Sequence, residues 1–286
     1  MHANNYNIAE DISLLRGMLK MSQEELAKDL GVSLVSLNRW ETGGNSISEE
    51  TIERFYSYAY SKGININVIK EQFLLEEVEK NGVILFHGAK NSINGDISID
   101  MSRNTNDFGQ GFYMGESFRQ AALFISNYSN SSVYAVKFDP TGLKKTEYKV
   151  GREWLLAVAA HRGRLDGIAS KELIDRIKNK TANIDYIIAP IADNRMYQII
   201  DSFIDGEITD EQCIHALAAT NLGRQFVAKT EKAAGRIKML ERWYLCTGER
   251  KSYKTRRDAE LAAADNKVRA SRIKYRGKGR YIDELL

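Results

Sequence analysis

Apolar residues recur every three or four positions over the amino-terminal part of the chain, a pattern that predicts a run of short amphipathic helices. On the first helix they are Ile8, Ile12, Leu15 and Leu19. Ser22 and Glu25 then have the spacing of a capping box, which predicts a second helix that ends at Gly31. A third helix is predicted from a cap at Ser33, and a fourth from about Ser48 to Tyr60.

Beyond these helices, short β-branched and aromatic runs alternate irregularly with helical stretches. A further amphipathic helix is predicted over 64–80, ahead of the first run. The predicted strands are Val83–Phe86, Val133–Phe138, Tyr186–Ile191 and Phe226–Lys229. The predicted helices between them are Phe118–Tyr128, Glu153–Ala160, Ser170–Asn179, Asp210–Ala219 and Glu231–Tyr244. Strands and helices without regular alternation indicate an α+β domain.

Length and composition indicate a folded protein with room for two domains. The chain has 286 residues, of which 43 % are hydrophobic and 28 % are charged. Its longest apolar stretches, such as 154–160 and 186–192, are far shorter than the ~20 residues of a membrane-spanning helix. We therefore expect a cytoplasmic protein with no membrane contact. Two cysteines and four scattered histidines lack metal-ligand spacing, so no metal site is expected.

Charge is distributed unevenly along the chain. Residues 1–80 carry 8 basic and 13 acidic side chains, whereas residues 248–286 carry 12 basic and 6 acidic ones. This basic C-terminal segment is a candidate for contact with phosphate groups, and a solvated helix and tail explains it equally well. The pattern as a whole predicts a helical domain over 1–63, a linking helix over 64–80, an α+β domain over 81–247 and the basic segment.

The string from Ser22 to Gly43, SQEELAKDLGVSLVSLNRWETG, has the helix, glycine turn, helix plan. It closely resembles the phage-repressor-like (XRE-type) helix-turn-helix family, in which the second helix of the motif enters the DNA major groove. The resemblance implies that Gln23 lies near a phosphate group. It also implies that the groove-facing residues of the third helix are Leu34, Val35, Asn38 and Arg39.

The implied base-reading set is small. Arg39 suits a guanine edge and Asn38 an adenine, whereas Leu34 and Val35 offer only apolar contacts to thymine methyl groups. The module is also acidic, unlike the usual basic footprint of a DNA-binding surface. A helix-turn-helix that mediates dimerisation or binds a partner protein therefore stays open as an alternative.

Three separated pieces of the second half carry residues suited to binding a ligand. Leu85–Gly88 (LFHG) is a strand end with a histidine and a glycine, and the small glycine would let a ligand approach the backbone. Asp107–Tyr113 (DFGQGFY) is a glycine-rich loop that leads to an aromatic pair and then to a helix containing Phe124. Arg224–Val227 (RQFV) is a short strand with polar residues at its head.

In this order, the three pieces resemble the His-Tyr-Glu class of ADP-ribosyltransferases, the class of diphtheria toxin and the poly(ADP-ribose) polymerases. They look still more like a bacterial family of predicted ADP-ribosyltransferases found in toxin-antitoxin-like loci, over about residues 81–247. The resemblance implies split antiparallel β-sheets with helices, NAD as the substrate, and a role as a toxin or defence effector. An antitoxin protein and a second copy of the chain are partners that it leaves open.

The same resemblance implies a role for each matching residue. The Gly88 backbone would hold the nicotinamide carboxamide, and His87 would hydrogen-bond the adenosine ribose. Tyr113 and Phe124 would enclose the nicotinamide ring, which stabilises a flat ligand and excludes water. Gly111 would belong to the loop that binds the cofactor.

At the third catalytic position the family has a glutamate, but this sequence has Gln225. A glutamine can hydrogen-bond the ribose without supplying negative charge, so transfer of a single ADP-ribose is expected rather than polymer synthesis. Restoring a glutamate there is expected to raise nicotinamide release. Three other carboxylates could reach the site: Glu116, Asp193 and Glu231, although Glu231 is more naturally the first residue of a helix capped by Thr230.

The leading prediction is therefore a mono-ADP-ribosyltransferase, with NAD glycohydrolysis as a side activity, fused to a helix-turn-helix module. Gln225 argues for an alternative, a transcriptional regulator whose second domain binds NAD without chemistry. A third alternative is an interaction protein in which both modules are scaffolds. The acceptor of the ADP-ribose stays open, and the basic segment favours nucleic acid slightly over protein.

Overall fold

The computed structural model describes residues 6–43, 47–77, 82–191, 194–218 and 223–286. In chain order, its helices are α1 (Ile8–Leu19), α2 (Gln23–Leu30), α3 (Leu34–Glu41), α4 (Glu49–Ser61), α5 (Ile66–Glu76), α6 (Phe118–Ile125), α7 (Arg152–His161), α8 (Lys171–Asn179), α9 (Asn194–Ile204), α10 (Asp210–Ala218), α11 (Glu231–Ala234) and α12 (Thr247–Lys274). Its strands are β1 (Val83–Ala89), β2 (Phe112–Gly115), β3 (Ser132–Phe138), β4 (Lys145–Glu147), β5 (Tyr186–Pro190), β6 (Arg224–Ala228) and β7 (Ile237–Trp243).

The described residues pack into two compact units, each built from several stretches of the chain. The first unit contains the described parts of 1–94, 117–137 and 239–255. The second unit contains those of 95–116, 138–238 and 256–286. In the described ranges, no helix is long and apolar enough to cross a membrane.

The first unit begins with the five helices that the amino-terminal pattern predicts, within a few residues of the expected bounds. Ser22 caps α2 through the predicted capping box, in which the Glu25 amide donates to the Ser22 hydroxyl at 3.2 Å and Glu25 accepts from the Ser22 amide at 2.8 Å. Gly31 follows α2 in the left-handed region, with φ of 67°, a conformation that favours glycine. The helix-turn-helix geometry therefore follows from local sequence.

The helical module shares its core with the end of β7. Tyr244 and Cys246 are buried in the same hydrophobic cluster as the residues of α1, α2 and α4. The Lys70 ammonium of α5 donates to Asp11 of α1 at 2.8 Å and also to Glu241 of β7. These largely buried ion pairs join helices α1 and α5 to β7, so the helical module packs as one body with the rest of the first unit.

The sheet of the first unit contains β1, β3 and β7, with β3 between the other two. Helix α6 covers one face of it, where Ile84 and Phe86 of β1 share a buried cluster with Phe118 of α6 and Trp243 of β7. The alternation of side chains along β1 leaves His87 on the opposite face from Phe86 and Gly88.

The sheet of the second unit is mixed. Strand β5 runs antiparallel to β6 and β6 runs antiparallel to β2, but β4 runs parallel to β5. One face of this sheet packs on helices of the same unit through a buried cluster that includes Trp154, Ile187, Phe203 and Val227. The expectation of an α+β domain is confirmed, whereas purely antiparallel pairing is wrong.

The helix predicted over Glu231–Tyr244 is wrong beyond its first turn. Helix α11 ends at Ala234, Gly235 follows as its C-cap, and the chain then enters β7. The residues of β7 include Met239, Leu240 and Glu241, which favour helix when taken alone. Pairing with β3 overrides that preference, because strand formation depends on the neighbouring strand more than on local sequence.

The basic C-terminal segment is not a free tail in its second-unit part. Val268 and Ile282 are buried in the core of that unit. The Thr209 hydroxyl donates to the Lys278 carbonyl at 2.6 Å, and the His215 ring stacks on the Tyr275 ring at 3.7 Å between centroids. Exposed basic side chains nevertheless remain on it: Arg269, Arg272, Lys274, Arg276, Lys278 and Arg280.

Candidate functional site

The helix-turn-helix module presents α3 with one face to the core and one to solvent. Leu37 is fully buried, whereas Asn38 and Arg39 are exposed. Leu34 and Val35 are 45 % and 60 % exposed, so both apolar side chains are available for contact with a partner. All four groove-facing candidates therefore lie on the outer face of α3, with two apolar side chains that contact no core.

A hydrogen-bond cluster fixes the start of α2 against α3. The Asn38 amide donates to the Gln23 side-chain oxygen at 3.2 Å, and the Gln23 amide donates to Glu41 at 2.7 Å. Arg16 of α1 donates to both Glu41 carboxylate oxygens, at 2.6 and 2.9 Å. Burial would raise the pKa of Glu41, but hydrogen bonds from three neighbouring side chains lower it below its usual value. The structure thus brings Gln23 and Asn38 together.

In the first unit, the Gly88 position is enclosed by α6. A Cβ added at Gly88 would lie 2.8 Å from the Ala121 carbonyl oxygen, 2.8 Å from the Ile125 side chain and 3.4 Å from the Phe124 ring. The small size of Gly88 therefore serves the packing of β1 on α6. Phe124 itself is 58 % exposed and lies beside Gly88, whereas the half-buried His87 side chain leaves the other face of β1.

In the second unit, the loop over 107–111 is held from several sides. The Tyr113 hydroxyl donates to the Gly109 carbonyl at 2.7 Å and accepts from the Phe108 amide at 3.1 Å. The Gly111 amide donates to the Ser102 hydroxyl at 2.8 Å. Burial and, secondly, the nearby Asp107 charge raise the pKa of Tyr113 well above its usual value, so its hydroxyl stays protonated.

Lys229 and His161 lie beside the same loop. The Lys229 ammonium donates to the carbonyl oxygens of Phe108 and Gln110. Burial lowers the pKa of Lys229 to about 8. Burial likewise lowers the pKa of His161 to about 4, with the positive charge of Lys229 as the next cause. His161 is therefore neutral at physiological pH, and Lys229 holds the loop by charge-assisted hydrogen bonds.

Gln225 and Tyr113 leave the same face of the second sheet. Gln225 lies opposite Gly115 and Val227 lies opposite Tyr113 in the antiparallel pairing of β6 with β2. Side chains paired in this way, and those two positions apart on a strand, share a face. Gln225 is 6 % exposed, and its carboxamide nitrogen donates to Asp107 at 2.8 Å and to the Pro190 carbonyl at 2.9 Å.

Asp107 connects Gln225 to an arginine. Its second carboxylate oxygen accepts from the Arg162 Nε at 2.8 Å, and the Arg162 guanidinium lies over the Tyr197 ring at 3.6 Å from its centroid. Asp107 is itself 6 % exposed. We call these four residues the Asp107 cluster: Asp107, Arg162, Tyr197 and Gln225.

The other candidate carboxylates are engaged elsewhere. Glu116 forms an ion pair with Arg224, with N–O distances of 2.9 and 2.5 Å. Glu231 is the first residue of α11, which Thr230 caps as predicted, and it accepts from the Ser98 hydroxyl and the Ile99 amide at 3.3 Å each. Asp193 lies outside the described residues.

Sequence reasoning did not assign roles to three members of the Asp107 cluster. Asp107 heads the DFGQGFY loop, so its position next to that motif was a usable signal. Arg162 follows α7 and Tyr197 lies on α9, and neither belongs to a recognisable pattern. Only the fold brings them to Gln225.

The fold and the outer face of α3 define a protein with an amino-terminal helix-turn-helix module followed by an α+β domain. Residues 12–55 match the family described as Helix-turn-helix, and residues 83–239 match the family described as Protein of unknown function (DUF3990). Because the second match covers more than half of the chain, the protein belongs to that family. No curated protein and no solved structure matches the chain.

Proposed function

We propose that the DUF3990 domain is a mono-ADP-ribosyltransferase that uses NAD as its substrate. The observation that carries this proposal is the set of groups on the face of the second sheet that packs on the helices of the same unit. They are an aromatic residue with a fixed hydroxyl, Tyr113, a hydrogen-bonding carboxamide, Gln225, and a buried carboxylate, Asp107. A flat ligand needs the first group, a ribose hydroxyl the second, and a developing cation the third.

The reaction breaks the bond between ribose C1′ and the nicotinamide nitrogen. Its electron pair stays with nicotinamide, which leaves as a neutral molecule, and the ribose is left as an oxocarbenium cation. A nucleophilic atom of the acceptor then bonds to C1′ and gives its proton to the surroundings. A site for this chemistry must stabilise positive charge in a water-poor environment, and a buried, oriented carboxylate does so.

The helix-turn-helix is a DNA-binding module, and we propose that Asn38 and Arg39 read base edges while Gln23 contacts a phosphate. The Gln23–Asn38 hydrogen bond supports this. It joins the residue proposed to contact a phosphate to a residue proposed to contact a base, and such a linked pair fixes the register of the helix on DNA. DNA binding would then regulate or localise the transferase. The resemblance to a family found in toxin-antitoxin-like loci supports a toxin or defence role with an antitoxin partner as the setting.

A second candidate function is an NAD-binding regulator with little or no chemistry. The observation in its favour is that position 225 carries a carboxamide, whose hydrogens are already used by Asp107 and the Pro190 carbonyl. Such a domain would bind NAD through its aromatic and polar groups and report its concentration to the helix-turn-helix module.

The experiment that separates these functions incubates the purified protein with NAD labelled in the adenosine part. Nicotinamide release and label transfer to protein, DNA and RNA are measured in parallel. Transfer supports the transferase, release alone indicates a glycohydrolase, and binding without either supports the regulator. We expect His87→Ala and Tyr113→Ala to weaken NAD binding while Tyr281→Ala, which removes an exposed tyrosine of the second unit, does not. Unchanged NAD affinity in both folded variants would contradict the assignment.

A further inference from the structure

The carboxamide of Gln225 has a fixed orientation. Its nitrogen carries two hydrogens and lies within hydrogen-bond distance of two acceptors, Asp107 Oδ2 at 2.8 Å and the Pro190 carbonyl oxygen at 2.9 Å. The carboxamide oxygen is therefore the group left to accept a hydrogen bond from a ligand. A rotated amide would place that oxygen against two other oxygens, which is unfavourable in a buried site.

Asp107 is held between two partners, with one carboxylate oxygen toward the Arg162 guanidinium and the other toward Gln225. One carboxylate oxygen is held by the Arg162 Nε at 2.8 Å, and the guanidinium is in turn held over the Tyr197 ring. The other oxygen contacts the Gln225 nitrogen. Other buried aspartates of the second unit have different partners: Asp185 accepts from the Lys144 amide and Asp210 accepts from Arg152. Asp107 is thus the buried carboxylate that contacts Gln225.

Position 225 requires a hydrogen-bond donor. A glutamate there would place a carboxyl oxygen about 2.8 Å from Asp107 and about as far from the Pro190 carbonyl oxygen. Two negative charges so close repel, so one of the two carboxyl groups would take up a proton and the pair would gain no negative charge. This contact reverses the expectation that Gln225→Glu raises activity. The absence of a carboxylate at position 225 therefore does not by itself mean that the site has lost a catalytic group.

We infer that Asp107 is the positioning residue that supplies the negative charge of the candidate site, acting through the carboxamide of Gln225. The inference rests on the proposed function. Hydrogen bonds in a chain polarise one another, so a carboxylate that accepts from the amide nitrogen increases the negative charge on the amide oxygen. That oxygen would accept a hydrogen bond from the ribose hydroxyl, and the bond strengthens as the ribose becomes cationic.

The test compares Asp107→Asn, Gln225→Glu and the double variant that exchanges the two groups. In the double variant the amide at 107 can donate to the carboxylate at 225, which restores both the hydrogen bond and the net charge. Asp210→Asn is the matched control, since it removes a buried, arginine-paired aspartate of the same unit away from the cluster. Each protein is assayed for kcat and KM of nicotinamide release, for NAD binding, and for thermal unfolding.

We expect each single exchange to lower kcat about 100-fold with little change in KM, as removal of a transition-state contact does. The double variant should recover at least about tenfold of that loss, and Asp210→Asn should lower the unfolding temperature without lowering kcat. A wild-type protein that neither binds nor cleaves NAD overturns the proposed function and this inference with it. If the wild type is active, any one of three results overturns the inference alone. They are an Asp107→Asn variant as active as wild type, a Gln225→Glu variant faster than wild type, and a double variant no more active than the single variants.

Discussion

Glu249 makes the stability of the first unit depend on pH near neutrality. Its side chain is 4 % exposed, and one carboxylate oxygen accepts from the Asn67 amide at 3.2 Å. The other oxygen has no hydrogen-bond partner among the described residues. Burial raises the pKa of Glu249 from its usual value of 4.5 to about 7, because the neutral acid is easier to bury than the anion.

Because the pKa of Glu249 is higher in the folded state than in the unfolded state, protonated Glu249 stabilises the folded state. This contribution to the free energy of unfolding is complete below about pH 4.5 and is lost as pH rises through about 7. Each pKa unit corresponds to ~1.4 kcal/mol, so the full shift is worth ~3 kcal/mol. The part lost between about pH 5 and about pH 8 is ~2.5 kcal/mol. Glu249→Gln has a neutral side chain of the same shape at every pH, so this variant should not lose that part of its stability as pH rises.

The assay is urea unfolding of wild type and Glu249→Gln at about pH 5 and about pH 8, with hydrogen exchange of first-unit peptides as a local readout. Glu249→Gln should gain ~2.5 kcal/mol over wild type on going from the lower to the higher pH. Glu50→Gln, at an 84 % exposed side chain, is the control and should show no such gain. His161, whose depressed pKa makes stability rise with pH between about 4 and 6.5, cancels because all three proteins share it. A difference between wild type and Glu249→Gln that stays constant with pH would refute the reasoning.

Two further predictions concern packing and DNA reading in the first unit. Gly88→Ala should lower the free energy of unfolding by about 1–3 kcal/mol, because its Cβ would lie 2.8 Å from atoms of α6. The control Gly17→Ala has open space around it and should be neutral or slightly stabilising. Equal effects of the two variants in chemical denaturation would contradict this. Arg39→Ala should cost about 1–3 kcal/mol on a DNA sequence selected from a random library and little on random DNA, while the control Arg54→Ala on α4 loses no specificity. Equal loss on both DNAs would make Arg39 a phosphate contact.

The helix-turn-helix could be predicted almost completely from sequence because its determinants are local. Ser22, Glu25 and Gly31 each act on the turn in which they lie, and the structure confirms their caps and the left-handed glycine. The exposure of Leu34 and Val35 likewise follows from helical spacing around the buried Leu37. Burial of this module against residues Tyr244 and Cys246 could not be predicted, since they come from nearly two hundred positions away in the chain.

The α+β domain was less predictable because its elements depend on pairing. Strand β7 has helix-forming residues and becomes a strand only beside β3, and β4 has three residues and depends on its parallel partner β5. Hydrophobic strands that are buried on both faces, such as β3 and β5, were recognisable from composition alone. Strands β3 and β5 were therefore predictable, whereas β4 and β7, which are partly exposed, were not.

The Asp107 cluster shows why a motif can locate a site without fixing its chemistry. The resemblance to ADP-ribosyltransferases, taken at position 225 alone, implies a lost carboxylate and therefore a weakened or inactive domain. The Gln225–Asp107 contact spans 118 positions of sequence, so the charge that faces position 225 cannot be read from the strand that carries it. A buried carboxamide bonded to a buried carboxylate keeps one negative charge in this pair of side chains, beside the Arg162 guanidinium, and a glutamate at 225 would bring a second carboxyl group against the first. For the proposed transferase activity we expect a dependence on the pair, so an assay of position 225 by itself would misjudge it.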